Sequence, residues 1–417
     1  MGAWESWENP SKEYRIKPFW FWNGNIEKEE IDFQLRQMKE QGIGGAFICP
    51  RQGLSVPYLG REWMELVEYT CERGKELGLE IWLYDEYPYP SGMAGGETLL
   101  RHPEAVQKQL VFYGRTVQGG ERTLISLGWG KVLYAGAVPV DSDGQLLRSR
   151  LIDLREDAGI LQSQEICMHA GMTAYTDKRF FSYGPEKVLD VRLPEGEWRL
   201  EIFTEEELDD YKYYGNFFDP CNSDAVRSFL DVTHERYRHA LKSPFASSIK
   251  GIFSDEVFFL GKIPWSEKLP ERIEKKYHYN FLEKLPALCD WNYPDALKIR
   301  YQLYQTAHEL LREAYHKQIA DWCRGQNVEF VTETPSMRRS TQLYSTVPGG
   351  DACHEKTGVS LETIYDKDLA NYRSCAPGIA SLARQTGRKN AMIESFHSVG
   401  WTMTLQDAKW MLDYLAA

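Results

Sequence analysis

One pattern constrains this chain more than any other. Short apolar segments recur between amphipathic helices, and most of them stop at an acidic residue. Lys17–Trp22, Gly45–Cys49 and Leu79–Tyr84 read as strands, separated by helices over Glu27–Gln41 and Glu62–Leu77. In the first helix Ile31, Leu35 and Met38 recur at helical spacing. Strand–helix–strand–helix–strand in this style implies a parallel sheet. After an interruption the rhythm returns. Ser223–Ala240 reads as a helix, Lys250–Ser254 as a fourth strand, and Glu267–Tyr277 and Asp295–Arg324 as helices. Val328–Thr332 is a fifth strand. Gly358–Tyr365 is expected as a sixth, after an irregular stretch over Thr334–Glu355. Leu369–Gln385 is helical, Lys389–Ile393 is the seventh strand, and Thr404–Ala416 is a final helix.

The interruption runs from Ala105 to Glu205. It holds short alternating segments divided by turn signals such as Gly119-Gly120, Asp143-Gly144 and Pro194-Glu195-Gly196, the mark of an inserted all-β domain. The expected fold class is therefore α/β, a (β/α)8 TIM-type barrel lacking its eighth strand, with an all-β domain inserted after strand three. Its parts are 1–104 and 206–417 for the barrel and 105–205 for the insertion. Seven strands leave an open seam between the first and the last, which a second copy of the chain or a further segment would cover. The length of 417 residues thus reads as one strand short. A doubly wound sheet would carry a glycine-rich phosphate loop after its first strand. Here that strand runs into Phe21-Trp22-Asn23-Gly24, which is no such loop.

Composition excludes several functions. A net charge of −12 argues against a nucleic-acid partner. No run of about 18 apolar residues exists to span a membrane. Met1–Arg15 has no secretory pattern, and eight scattered cysteines without a Cys-x-x-Cys pair fit reduced thiols, so a cytoplasmic location is expected. Aromatic residues make up 13%, which serves sugar-binding clefts and large cores alike. No Gly-x-Ser-x-Gly elbow, His-Glu-x-x-His pair or P-loop is present, which removes the α/β-hydrolases, zincins and P-loop enzymes.

The acids remain. A parallel barrel builds its active site at the C-terminal ends of its strands. Those ends carry Asp85-Glu86, Asp255-Glu256, Glu333 and Glu394. Converging carboxyls raise one another's pKa, and glycosidic cleavage exploits a protonated and an ionised member of such a pair. Asp255 and Glu256 are adjacent, so strand alternation sends them to opposite sides and only one aims straight into the mouth. Arg51, Trp22, Asn23, His397 and Trp401 lie at or beyond strand ends and are candidate sugar contacts. For Trp22 a place in the core is the competing role, and for Asp85 and Glu86 a structural turn. His234 lies mid-helix and reads as a packed or exposed residue. The mouth is acidic enough for a calcium ion, but no dedicated loop is visible.

The motifs Pro18-Phe19-Trp20-Phe21-Trp22-Asn23-Gly24, Trp82-Leu83-Tyr84-Asp85-Glu86 with Pro90-Ser91-Gly92, Gly251-Ile252-Phe253-Ser254-Asp255-Glu256 and Glu394-Ser395-Phe396 with Gly400-Trp401 carry a resemblance. From Lys17 onward the chain resembles the bacterial glycosyl hydrolases around glycoside hydrolase family 106, the α-L-rhamnosidases. The resemblance implies a catalytic barrel acting on an oligosaccharide or glycoside. It also implies catalytic acids at strands four and seven, carried here by Glu256 as general acid and Glu394 as base or nucleophile. Inversion and an association with calcium belong to the same implication. Asp85, Glu86, Asp255, Glu333, Arg51 and Trp22 would position the sugar. The strand-four motif is Asp-Glu, not the Asn-Glu of the retaining clan, and the histidine that relatives carry near Thr332-Glu333 is absent. The alternatives are a non-catalytic carbohydrate-binding protein, or truncated inactive relative, and a barrel lyase or isomerase using the same acids for proton transfer.

Overall fold

The computed structural model describes residues 8–168, 179–209, 215–241, 245–333, 339–351, 376–396 and 399–416. They fall into two compact units. The first comprises Met1–Val106, Asp210–Phe259 and His308–Ala417. Its seven parallel strands are β1 (Phe19–Trp22), β2 (Gly45–Pro50), β3 (Glu80–Tyr84), β11 (Gly251–Asp255), β12 (Glu329–Glu333), β13 (Val347–Asp351) and β14 (Met392–Glu394), hydrogen-bonded in that order. The strands that lie between β3 and β11 in the chain belong to the second unit.

The seven strands curl around one apolar interior. Phe47, Cys49, Trp82, Tyr84, Phe253 and Val331 form a buried cluster, packed by Phe19, Tyr89, Val347 and Met392. Every strand contributes to it, which a flat sheet of this width would not allow. Aromatic rings interlock there: Phe19 meets Phe253 at 4.9 Å and Phe47 meets Trp82 at 5.2 Å between centroids. The opposite strand faces pack against helices. In Arg61–Leu77 the buried side chains Trp63, Leu66, Val67 and Cys71 recur at helical spacing, and Gly78 ends the helix in the left-handed conformation at φ 72°. Trp22 lies on this outer side, 2% exposed, with its ring 5.3 Å from Trp63. Strands β1 and β14 each pair with one neighbour among the described residues, so the expected open partial barrel is what the sheet forms.

The sixth strand departs from expectation. Gly358–Tyr365 lies outside the described residues, while β13 forms from Val347-Pro348-Gly349-Gly350-Asp351, inside the stretch read as irregular. Proline and paired glycines mask a strand in sequence. They suit this one because the backbones approach closely: a Cβ on Gly349 would stand 2.5 Å from the Thr332 carbonyl oxygen. Two long helices are also divided. Ser223–Val232 and His234–Ala240 part at Thr233, whose Oγ1 donates to the Phe229 carbonyl. Ala296–Leu311 and Lys317–Gly325 are joined by a π-helical turn over Arg312–His316.

The second unit comprises Gln107–Asp209 with Leu260–Ala307. Its antiparallel strands are β4 (Lys108–Gln118), β5 (Arg122–Leu127), β6 (Gly130–Pro139), β7 (Ile152–Asp153), β8 (Ala158–Met168), β9 (Arg179–Arg192) and β10 (Glu197–Glu207). They form sheets ordered β4-β10-β6-β7 and β5-β9-β8 around Leu189, Trp198, Leu200 and Ile202. Arg148 ties the segment after β11 to this unit, donating to both oxygens of Glu201 at 3.0 Å and to Asp290 at 2.5 Å. No described helix is long and apolar enough to cross a membrane.

Phe253 is fully buried and touches Phe19, Phe47 and Tyr84 inside the curl. Phe253→Ala should cost about 3–5 kcal/mol of stability in urea unfolding. A loss below about 1 kcal/mol would show that the interior can collapse around the gap.

Candidate active site

Alternation along the seven strands builds the site. Phe253, Val331, Val347 and Met392 face the interior. The residue two positions beyond each interior side chain therefore faces the same way, one layer nearer the C-terminal mouth. On β11, β12 and β14 those residues are Asp255, Glu333 and Glu394. On β13 the residue four beyond Val347 is Asp351. Register joins them in two pairs, Asp255 with Glu333 and Asp351 with Glu394, the second pair standing two residues further toward the mouth because Val331 aligns with Val347. Along β3 the same rule carries Trp82 to Tyr84, along β2 Phe47 to Cys49 and on to Arg51, and along β1 Phe19 to Phe21.

Glu256 joins this layer by a different route. Strand alternation would send it outward, opposite to Asp255. Its backbone instead adopts φ 47°, a left-handed conformation unusual for a residue with a side chain. Its Oε2 then accepts a 2.6 Å hydrogen bond from the Tyr89 hydroxyl, and Tyr89 packs on the interior cluster. Both adjacent acids thus reach the mouth, where strand alternation allowed only one.

The layer is crowded and buried, and burial decides its protonation. Asp255 is pushed up to about 6, by burial first and by Glu256 next, against the Tyr84 hydroxyl that donates to it. Glu333 is raised well above the usual carboxylate range by burial, then by Asp255 and Glu394. Glu394 is raised to about 8, by burial and then by Asp255, and shares a hydrogen bond with Glu333. A hydrogen bond between two carboxyls needs a proton between them, so this pair holds one at neutral pH.

Glu256, Glu333 and Asp351 each bring one carboxylate oxygen within 4.8 Å of the others. Oxygens bound to one calcium ion at about 2.3–2.6 Å lie no more than about 5 Å apart. Glu333 Oε2 is buried without a hydrogen-bond partner. An all-oxygen, three-carboxylate set with a buried unpartnered oxygen fits a hard divalent cation.

The other expected contacts separate clearly. Glu86 is engaged by the scaffold. Its carboxylate accepts the backbone N–H groups of Tyr87, Met93, Ala94 and Gly95 at 2.6–2.7 Å, holding the loop after β3, and burial raises it to about 7 despite those four donors. Asp85 also serves the scaffold. It faces the helices, accepts from the Ser91 hydroxyl and lies 3.8 Å from His234 Nε2, and burial raises it well above its usual range. Trp22 is sealed against Trp20 and Trp63 and offers no face to a sugar. Phe21, 52% exposed, is the aromatic of that strand on the mouth side. Asn23 is exposed at the end of β1. Trp401 is fully exposed among the described residues, and His397 lies outside them. Arg51 sits at the mouth with its guanidinium carbon 4.6 Å from the Tyr84 ring and 4.8 Å from the Phe21 ring. Asp351, Phe21, Tyr84 and Tyr89 were missed in sequence. An acid closing β13, as acids close its neighbours, was the available signal for Asp351.

Comparison with known proteins gives a family match and two relatives. Residues 8–130 match the family described as alpha-L-rhamnosidase, glycosyl hydrolase family 106. A solved structure, "Structure of Rhamnosidase from Novosphingobium sp. PP1Y", shares the fold across 100% of this chain with a TM-score of 0.60 and 14% identity. A curated relative from Formosa agariphila, named "Putative beta-glucuronidase", is 20% identical over 360 residues, 78% of this chain. The chain spans 30% of the length of that relative and 55% of the solved chain. It resembles the family 106 glycosyl hydrolases, as its motifs indicate.

A carboxyl raised by burial makes the folded state hold a proton that the unfolded chain has lost. Its stabilising contribution is complete below about pH 4.5 and is lost as pH rises through about 8 for Glu394. The melting temperature of the unsubstituted protein minus that of Glu394→Gln, which cannot titrate, should therefore fall steadily from pH 5 to pH 9. A constant difference would show that Glu394 keeps an ordinary pKa.

Proposed function

We propose that the chain is the catalytic barrel of a glycoside hydrolase that works with Glu394 and Glu256. The carrying observation is the layer of five carboxyls at the strand ends, one of which holds a proton at neutral pH. Cleaving a glycosidic bond needs one carboxylic acid to protonate the departing oxygen and one carboxylate at the anomeric carbon. Glu394, raised to about 8, fits the acid. Glu256, which accepts the Tyr89 hydroxyl and is grouped with Glu333 and Asp351, fits the carboxylate. This exchanges the roles implied by resemblance alone, because Glu394 is raised by burial and by Asp255 and shares its hydrogen bond with Glu333. The family match and the names of both relatives support glycosidase chemistry. Those names divide between rhamnoside and glucuronide, so both glycosides belong in the first substrate panel.

The calcium ion implied by the resemblance would be held by Glu256, Glu333 and Asp351. When bound it would supply positive charge that offsets the crowding of the acids. Tyr84 and Tyr89 hold the Asp255 and Glu256 carboxyls in place from the interior side.

Glu394→Gln should lower kcat/KM on glycosides with poor leaving groups by about 10²–10⁴-fold and change dinitrophenyl glycosides little. Glu256→Gln should reduce both. The opposite pattern would return the acid role to Glu256, and full activity of both variants would sink the assignment. Calcium should raise the melting temperature of the unsubstituted protein and bind measurably in titration calorimetry. Asp351→Asn should weaken that binding at least about tenfold. Identical titrations for the two proteins would remove Asp351 from the cation site.

A further inference from the structure

We propose that the sugar bound at this mouth carries a carboxylate, a uronic acid, and that Arg51 is the residue that recognises it. The inference rests on the reading of the mouth as a sugar site and adds the chemical class of its ligand. Arg51 follows the interior residues Phe47 and Cys49, so its side chain rises on the mouth side of β2. There the guanidinium lies against two rings, 4.6 Å from Tyr84 and 4.8 Å from Phe21. This stacking holds a planar group that would otherwise swing freely.

The fork is little used within the protein. Nη1 donates to the Pro50 carbonyl at 3.2 Å, and the side chain reaches the Tyr84 hydroxyl. A guanidinium has five N–H donors, so most of the fork remains available. Among the described residues none forms an ion pair with it, although five carboxyls lie in the same mouth. An arginine serving only to neutralise those acids would close on one of them. This one is instead presented, flat and partly dried by its rings, in the form that receives a carboxylate through two parallel hydrogen bonds. Phe21 supplies beside it a half-exposed ring for the apolar face of a pyranose. A uronic acid is the sugar that offers both features. Its single negative charge is tolerable in so acidic a mouth only where a fixed cation meets it, which gives Arg51 a selective role.

The test is equilibrium binding to the full chain, so that hydrolysis plays no part in the readout. Methyl glucuronide and methyl galacturonide are titrated against methyl glucoside and methyl galactoside by NMR or calorimetry at fixed salt. A uronide should bind about 10–100-fold more tightly than its neutral counterpart. Arg51→Met should bring that ratio close to one, and Arg51→Lys, which keeps the charge but loses the fork, should leave it intermediate. Equal binding of uronide and neutral sugar by the unsubstituted protein would overturn the proposal even if neither variant folds. A preference that survives Arg51→Met would overturn it as well. A protein that prefers uronides yet cleaves no glycoside would refute the hydrolase reading and leave this one standing. A hydrolase without the preference would do the reverse.

Discussion

Like-charge crowding in a desolvated layer is the constraint on which the rest of this structure depends. Asp255, Glu256, Glu333 and Asp351 are each 6% exposed or less. Removing that many carboxyls from water without partners is costly, and a protein ordinarily avoids it or neutralises them. The surroundings show how the charge is managed. Tyr84 and Tyr89 donate from the interior, Glu333 and Glu394 share a proton, and Arg51 stands across the mouth. The arrangement is unfavourable as architecture and useful as chemistry. Burial first, and the neighbouring charges next, hold a proton in this acidic layer.

The interior beneath is what makes the crowding bearable. Aromatic rings from β1, β2, β3 and β11 interlock below the acids, and their rigidity fixes the strand ends. The acids cannot move apart without unpacking that cluster. Outside the curl a second polar set does different work. Glu86 gathers four backbone N–H groups and Ser91 joins the ends of β3 and β11, donating its backbone N–H to the Asp255 carbonyl while its hydroxyl accepts from the Asp255 N–H. Adjacent acids in one sequence motif thus divide into loop anchors at Asp85-Glu86 and mouth carboxyls at Asp255-Glu256.

Much of this was legible in the sequence, and the limits have physical reasons. Six strands announce themselves because hydrophobic runs between amphipathic helices admit little else. The β13 strand does not, since Pro348, Gly349 and Gly350 are chosen for close backbone approach and lack strand propensity. With that strand went Asp351. Which aromatic of Phe19-Trp20-Phe21-Trp22 faces the mouth was undetermined for another reason. Alternation fixes that neighbours oppose each other, not which parity points inward, and only the assembled interior settles that Phe21 does. The acids at β11, β12 and β14 could be grouped from sequence because a carboxyl directly after a buried strand rarely has a structural excuse. The same reasoning failed at Glu86, where backbone donors supply one.

Glu256 shows why the grouping matters more than any single acid. Periodicity gives the mouth Asp255 alone from β11. The left-handed turn at Glu256 adds a second carboxyl from the same strand end, at some cost in backbone strain. That strain persists because Tyr89 and the packing beneath it hold the side chain in place. A fold that needed only to close its strand would place glycine there, which adopts the conformation freely. A glutamate here instead aims a carboxylate into a layer already crowded with acids. It makes sense as the means of bringing one more oxygen within reach of Glu333 and Asp351. The strain at Glu256 and the crowding at the mouth are therefore one feature, and both trace to the demands of the site, not of the fold.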